Sequence, residues 1–319
     1  MKIGLALGGG GITGGAFHAG VISALYSVGG WDARTAEVII GTSAGSITAT
    51  SLRVGLPPGD FLKRQTGEAM SPEGTTIIAR VGTPNRSFQA TSERSLRPAN
   101  PDLLKAFARS PGSAHLGKIA AAALPEGTIP TDTIEHNMNA LCQNDWPQPH
   151  PWITALRLSD GERVIFGQPG SEPLPSIGSA VAASCAIPGY FAPVKIDGDR
   201  YVDGGMTSAC NADALVGQGL DAVIISAPMA VHSGLRFAVD MPWRRVIRRQ
   251  VDREAAALRA DGVDVFLFAP NQRDIEAMGS NPMATGRESS VARTAYQSTT
   301  QRIAETGRLM SLLAGDSPR

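Results

Sequence analysis

Two short apolar runs, each ending in a glycine turn that opens into a helical pattern, set the fold of the first third of the chain. Ile3–Leu7 is an apolar run closed by glycine, as a buried strand requires. Phe17, Val21, Ile22 and Leu25 recur at helical spacing, and Gly29-Gly30 stops that helix. Val38-Ile39-Ile40 is a second buried strand, followed by the turn Gly41-Thr42-Ser43-Ala44-Gly45. A helix is expected from about Ala44 to Val54, closed by Gly55 with Pro57 just beyond. Strand, helix, strand, helix in so short a span is a parallel α/β unit.

The stretch 56–150 reads differently. It is rich in Pro, Ser, Thr and Gly, with amphipathic pieces at Pro101–Arg109, Leu116–Leu124 and Asp132–Leu141, and is expected to be a cap-like insertion. Beyond it, Trp152–Leu158 and Arg163–Phe166 flank Asp160-Gly161, a hairpin signal. Val194–Ile196 and Arg200–Val202 flank Asp197-Gly198 in the same way. Ala222–Ser226 and Val263–Phe268 read as further buried strands, separated by a helix from about Pro242 to Asp261. Arg287–Leu313 reads as one closing helix with frayed stretches. The 319 residues are expected to form one domain containing the insertion.

Composition narrows the classes. With 42% hydrophobic and 18% charged residues, a sizeable core is available. Lys+Arg and Asp+Glu are 29 each, which argues against a polyanion binder, so no nucleic-acid partner is expected. Cys142, Cys185 and Cys210 form no closed disulfide framework, and no Cys/His cluster suggests a metal. Asp197, Asp199 and Asp203 lack the spacing and terminal Glu of a calcium loop. No apolar stretch reaches the roughly 18 residues of a membrane span, and Met1–Leu7 runs into glycines without a cleavage site. A cytoplasmic protein is expected, one that could still touch a membrane from its surface.

Three motifs could carry chemistry. Gly41-Thr42-Ser43-Ala44-Gly45 is a G-x-S-x-G pentapeptide, in which a serine on a tight strand-to-helix turn needs neighbours without bulk. That turn exposes the hydroxyl at a helix N-terminus; the plainer alternative is Ser43 as an ordinary N-cap. Gly8-Gly9-Gly10-Gly11-Ile12-Thr13-Gly14-Gly15 follows the first strand and opens a helix. Its bare amides suit either an oxyanion or a phosphate. Gly9-x-Gly11-x-x-Gly14 also matches the dinucleotide fingerprint, but the second strand ends in Gly41-Thr42-Ser43, without the ribose-binding acid. Asp203-Gly204-Gly205 follows the predicted strand Arg200–Val202, as a carboxylate held near another segment or as a plain hairpin turn. None of the five histidines completes a triad in hydrolase order: only His232 follows Asp203, and His18 reads as a helix-surface or core residue.

Taken in order, these segments resemble the patatin-like phospholipase family. The matching residues are Gly8–Gly11 with Gly15-Ala16-Phe17-His18-Ala19-Gly20-Val21, the elbow Gly41–Gly45, Ala182-Ala183-Ser184-Cys185-Ala186-Ile187-Pro188-Gly189, and Tyr201-Val202-Asp203-Gly204-Gly205. The resemblance implies a three-layer α/β/α sandwich with a central, mostly parallel sheet. It implies serine-dependent hydrolysis of a lipid acyl ester, as a phospholipase, lysophospholipase or carboxylesterase, without cofactor. By that resemblance Ser43 is the nucleophile, Asp203 its base, Gly41 and Gly45 the elbow glycines, and the amides of Gly9, Gly10 and Gly11 the oxyanion hole. An acyltransferase would share the acyl-enzyme. Alternatives of other classes are a nucleotide-binding oxidoreductase using Gly9, Gly11 and Gly14, and a catalytically silent lipid-binding protein.

Two departures from the family pattern stand out. Many relatives carry Arg or Lys in the glycine loop, where this chain has Ile12-Thr13-Gly14. Many also follow Asp-Gly-Gly with Asn-x-Pro, where this chain has Asn211-Ala212-Asp213, with Asn211 expected to cap the next helix. Finally, the helix near Pro242–Asp261 places Arg244, Arg245, Arg248, Arg249, Arg253 and Arg259 beside Trp243, Ile247, Val251 and Leu258 at helical spacing. Such a helix either docks on the fold or lies on an anionic membrane.

Overall fold

The computed structural model describes residues 1–82, 98–101, 116–232 and 241–313. The first half contains β1 (Ile3–Leu7), α1 (Gly11–Ser27), β2 (Val38–Gly41), α2 (Ala44–Arg53), α3 (Pro58–Thr66), α4 (Pro72–Ala79), α5 (Leu116–Ala123) and α6 (Asp132–Leu141). Then follow β3 (Trp152–Arg157), β4 (Arg163–Phe166), α7 (Ile177–Ser184), β5 (Val194–Ile196), β6 (Asp199–Asp203) and β7 (Ala222–Ser226). The chain closes with α8 (Met241–Ala260), β8 (Asp264–Phe268), α9 (Gln272–Met278), α10 (Glu288–Glu305) and α11 (Gly307–Leu313).

The strands form one sheet in the order β5-β6-β3-β2-β1-β7-β8, with β4 paired to β3. The pairings β3-β2, β2-β1, β1-β7 and β7-β8 are parallel; β3-β4, β3-β6 and β5-β6 are antiparallel. Alternate side chains enter opposite layers, because successive residues of a strand point to opposite faces. Leu5, Leu7, Ile39, Ile153 and Ile224 join one cluster, with Phe17, Val21 and Leu25 of α1 and Val291 and Ala295 of α10. Ala6, Ile40, Trp152, Val223 and Ile225 join the other, with Ile247, Val251 and Leu258 of α8. Parallel strands covered on both faces read as unbroken apolar runs, which is why these were legible. The result is a mixed, mostly parallel sheet between helical layers.

Both hairpins form where the Asp-Gly signals placed them. Asp197 and Gly198 take φ 48 and 86, the paired positive values of a type I′ turn. The closing helix differs from expectation: it breaks at Thr306 into α10 and α11. Ser23 Oγ of α1 donates to Pro58 O at 2.7 Å and accepts from Leu62 N–H at 3.2 Å, which seats α3 in the helical layer. α6 meets α7 through the Gly178 N–H, which donates to Asn139 Oδ1 at 2.8 Å. These described parts of 56–150 therefore pack as layer helices. Pro101–Arg109 falls almost wholly outside the described residues.

Candidate active site

The parallel strands end together. Leu7 of β1 pairs with Gly41 of β2 and with Ser226 of β7, so the glycine loop and the serine turn leave the same edge. In open α/β sheets that carboxyl edge is where ligands bind. Ser43 sits at the N-cap of α2 with φ 53 and ψ −122, a backbone state that costs a serine about 1–3 kcal/mol. Surrounding bonds impose it. Thr42 N–H donates to Leu7 O (3.0 Å), Ser43 N–H to Ser184 Oγ (2.9 Å), and Ser46 Oγ to Ser43 O (2.6 Å). A Cβ at Gly45 would collide with the Leu7 carbonyl, and one at Gly41 would lie 2.5 Å from Gly45 O. The pentapeptide thus needs its glycines for close packing of the elbow on β1. Ser184, whose hydroxyl holds the Ser43 amide, belongs to a family-like block, but its role needed the tertiary contact.

Asp203 ends β6, opposite Ala155 of β3, and the antiparallel pairing carries its carboxylate into the interior. It is 4% exposed and Ser43 is 5%. The Ser43 hydroxyl lies within reach of the Asp203 carboxylate, and hydrogen bonding from it pulls the carboxyl pKa down. Gly205 N–H donates to Asp203 Oδ1 at 2.7 Å. Burial pushes the carboxyl up from 3.8 to about 6, against the opposing pull of those two hydrogen bonds. The thiol of Cys185 lies beside both groups, its pKa driven up by burial and by the Asp203 charge, so it stays protonated.

The glycine loop lies against the serine: a Cβ at Gly9 would come 3.3 Å from Ser43 Cβ. Gly9 N–H donates to Ala209 O at 2.8 Å and Gly8 N–H to Ser226 O at 2.9 Å. Gly10 and Gly11 stand at the start of α1, where backbone donors have no intrahelical acceptor. Of the three glycines expected to donate, Gly9 is thus already engaged. The stretch Ile12-Thr13-Gly14, where relatives carry a cation, is tied down instead: Thr13 N–H donates to Pro282 O at 3.1 Å.

His18 is a core residue. Gly8 O can only accept, so Nε2–H donates to it at 2.7 Å, leaving Nδ1 to accept from Ser226 Oγ at 2.8 Å. Burial lowers its pKa to about 4, so it is neutral and pins the glycine loop to β7. His232 lines a cavity with Phe17, Phe268, Asn271 and Arg302, whose lining includes neither Ser43 nor Asp203. Asn211 departs from expectation. It stands at the N-cap of a short 3-10 turn, Ala212–Leu215, in the left-handed region at φ 52, but its side chain makes no cap. Instead Asn211 Nδ2 donates to Ser208 O (2.7 Å) and Thr42 Oγ1 (3.0 Å).

α8 docks by Ile247, Val251 and Leu258, while Trp243 and Val246 stand 57% and 50% exposed. Among the described residues no helix is long and apolar enough to cross a membrane, and no group of three or more His, Cys, Asp or Glu gathers to hold a metal.

Comparison with known structures finds VipD from Legionella pneumophila, 14% identical, with a TM-score of 0.45 over 95% of this chain and 66% of that one. The type III effector protein ExoU is 17% identical, with a TM-score of 0.37 over 95% of this chain and 53% of that one. The chain therefore spans just under two thirds of one of these proteins and about half of the other. The family model described as patatin-like phospholipase matches residues 5–216, well over half of the sequence, and carries the glycine loop, the elbow and Asp203 within it. The chain belongs to the patatin-like phospholipase family.

Proposed function

We propose that this protein is a serine-dependent lipid acyl hydrolase working through a Ser43–Asp203 dyad. The observation that carries the reading is the strained Ser43 set within reach of a buried Asp203 whose basicity is raised by desolvation. Asp203 takes the proton as Ser43 Oγ attacks the acyl carbonyl, forming a tetrahedral oxyanion. The N–H groups of Gly10 and Gly11 face no helical acceptor and are assigned to that oxyanion, with the positive end of the α1 dipole behind them. Gly9 serves by lacking a side chain against Ser43 rather than by donating. On collapse Asp203 returns the proton to the leaving alkoxide, and the acyl chain stays on Ser43. Water then gives its proton to Asp203 and attacks the acyl-enzyme; the proton returns to Ser43 Oγ as the free acid leaves. Exposed Trp243 and Val246, with Arg249 and Arg253 on the same helix, suit peripheral contact with a lipid surface.

The test is p-nitrophenyl ester hydrolysis by wild type and Ser43→Ala, with fluorophosphonate labelling read by intact mass. Turnover and a single adduct, both lost in Ser43→Ala, are expected. Vesicle binding unaffected by Ser43→Ala, with no turnover and no adduct in wild type, would instead establish a silent lipid binder.

A further inference from the structure

α8 lies beyond the segment matched by the family, yet one of its residues reaches the machinery at second hand. Glu254 is buried in the face of α8 that meets the loop 207–213. Its Oε1 accepts from Ser208 Oγ, and its Oε2 accepts from Ala212 N–H at 3.0 Å. Ser208 Oγ in turn accepts from Cys210 N–H and Asn211 N–H, each at 3.2 Å. Gln250, one turn earlier on α8, donates from Nε2 to Thr207 O at 2.7 Å. One helix therefore fixes the loop from beneath, and one carboxylate accepts from both Ser208 and Ala212.

The other side of that loop touches residues next to Gly10, Ser43 and Asp203. Ala209 O accepts from Gly9 N–H at 2.8 Å, next to Gly10. Asn211 Nδ2 donates to Thr42 Oγ1 at 3.0 Å, next to Ser43, and lies 3.4 Å from Gly204 O, next to Asp203. Arg163 steadies the same amide, donating to Asn211 Oδ1 at 3.2 Å and to Asp213 Oδ1 at 2.7 Å. Three segments from different parts of the chain thus converge on Ser208–Ala212. A loop with no regular secondary structure across Ser208–Cys210 holds a fixed shape only if its polar groups are satisfied.

We infer that Glu254 is a positioning residue for acyl transfer. By clamping Ser208–Ala212, it holds the glycine loop, the serine elbow and the Asp203 turn in one mutual register. It touches no reacting atom, and its effect rests on the dyad reading given above. Small displacements of reacting groups cost about 100-fold in rate per ångström, so loosening this clamp is expected to act on the chemical step.

The experiment compares wild type, Glu254→Ala, Glu254→Gln and Ser208→Ala. Three readouts are taken: kcat and KM on a p-nitrophenyl ester, the rate of fluorophosphonate labelling of Ser43, and amide exchange of Gly8–Gly11 and Ala222–Ser226. Glu254→Ala is expected to lower kcat and labelling rate together by about 10- to 100-fold, with KM within about twofold. Exchange is expected to speed up at Gly9 and not in β7. Glu254→Gln keeps one oxygen acceptor and falls between wild type and Ala. Ser208→Ala cuts only the hydroxyl link and carries the test where Glu254→Ala does not fold. Wild-type labelling rate and Gly9 protection in folded Glu254→Ala or Ser208→Ala overturn this inference and leave the dyad standing. A wild type that is never labelled refutes the Ser43 reading, and the positioning role with it.

Discussion

Replacing Asp203 by Asn is expected to stabilise the protein while removing its activity. The side chains are isosteric, and Asn Oδ1 can still accept from Gly205 N–H, a bond of 2.7 Å here. What changes is the charge. Burial, net of the Ser43 and Gly205 hydrogen bonds, moves the carboxyl from 3.8 to about 6. The folded state therefore holds this proton more tightly than the unfolded state does. Between those two values it carries more protons than the unfolded chain, so this residue's contribution to stability falls as pH rises through that window. Above pH 6 the ionised group costs the fold on the order of 3 kcal/mol, which Asn does not incur. For a chain of this size that corresponds to a melting temperature higher by about 6 °C. The assay is urea and thermal unfolding of both proteins at pH 8, 6 and 4. The Asp203→Asn variant should be the more stable at pH 8, with the gap closing by pH 4. Turnover on a p-nitrophenyl ester should fall by about 1,000-fold or more. A variant no more stable than wild type at pH 8, or a gap independent of pH, refutes the claim that Asp203 is a desolvated carboxylate. Undiminished turnover refutes its role as base.

Other consequences can be measured on the same material. With Asp203 as the base of the proposed dyad and its carboxyl pushed up to about 6, kcat/KM should fall about tenfold per pH unit below that point; a flat profile down to pH 5 would contradict it. Ser43→Gly should be more stable than Ser43→Ala by about 1 kcal/mol in urea titrations, since both lack the hydroxyl but only glycine adopts φ 53 without strain; equal stabilities would mean that the elbow is relaxed. Gly45→Ala places a Cβ against the Leu7 carbonyl and should cost more than about 3 kcal/mol, visible as lost soluble yield or a large drop in melting temperature. His18→Leu leaves the Ser226 hydroxyl and Gly8 carbonyl unpartnered in the interior, for a loss of about 2–4 kcal/mol by the same titration.

Much of this molecule could be read from neighbouring residues. The apolar runs of β1, β2 and β7, the Asp197-Gly198 hairpin and the strand–Gly-Thr-Ser-Ala-Gly–helix elbow are local patterns, set by side-chain period and turn chemistry within a few positions. Asp203-Gly204-Gly205 was visible in the same way, though only its order with the other motifs marked it as more than a turn. The properties that make the site are not local. Asp203 becomes basic because β6 pairs with β3 and buries its end. Gly9 is engaged by the carbonyl of Ala209, far along the chain, which no inspection of the glycine run could show. Asn211 stands where a helix cap is expected, yet its amide turns inward to Thr42, 169 residues earlier. Ser184 sits in a motif block that does not say what its hydroxyl holds, Glu254 carries no motif at all, and what each contacts exists only through the groups the fold brings to it. The sequence determined which segments become strands, helices and turns, because those preferences depend on near neighbours. Only the tertiary structure decided burial, charge state and hydrogen-bond partners, because these depend on which distant segments share the carboxyl edge of the sheet.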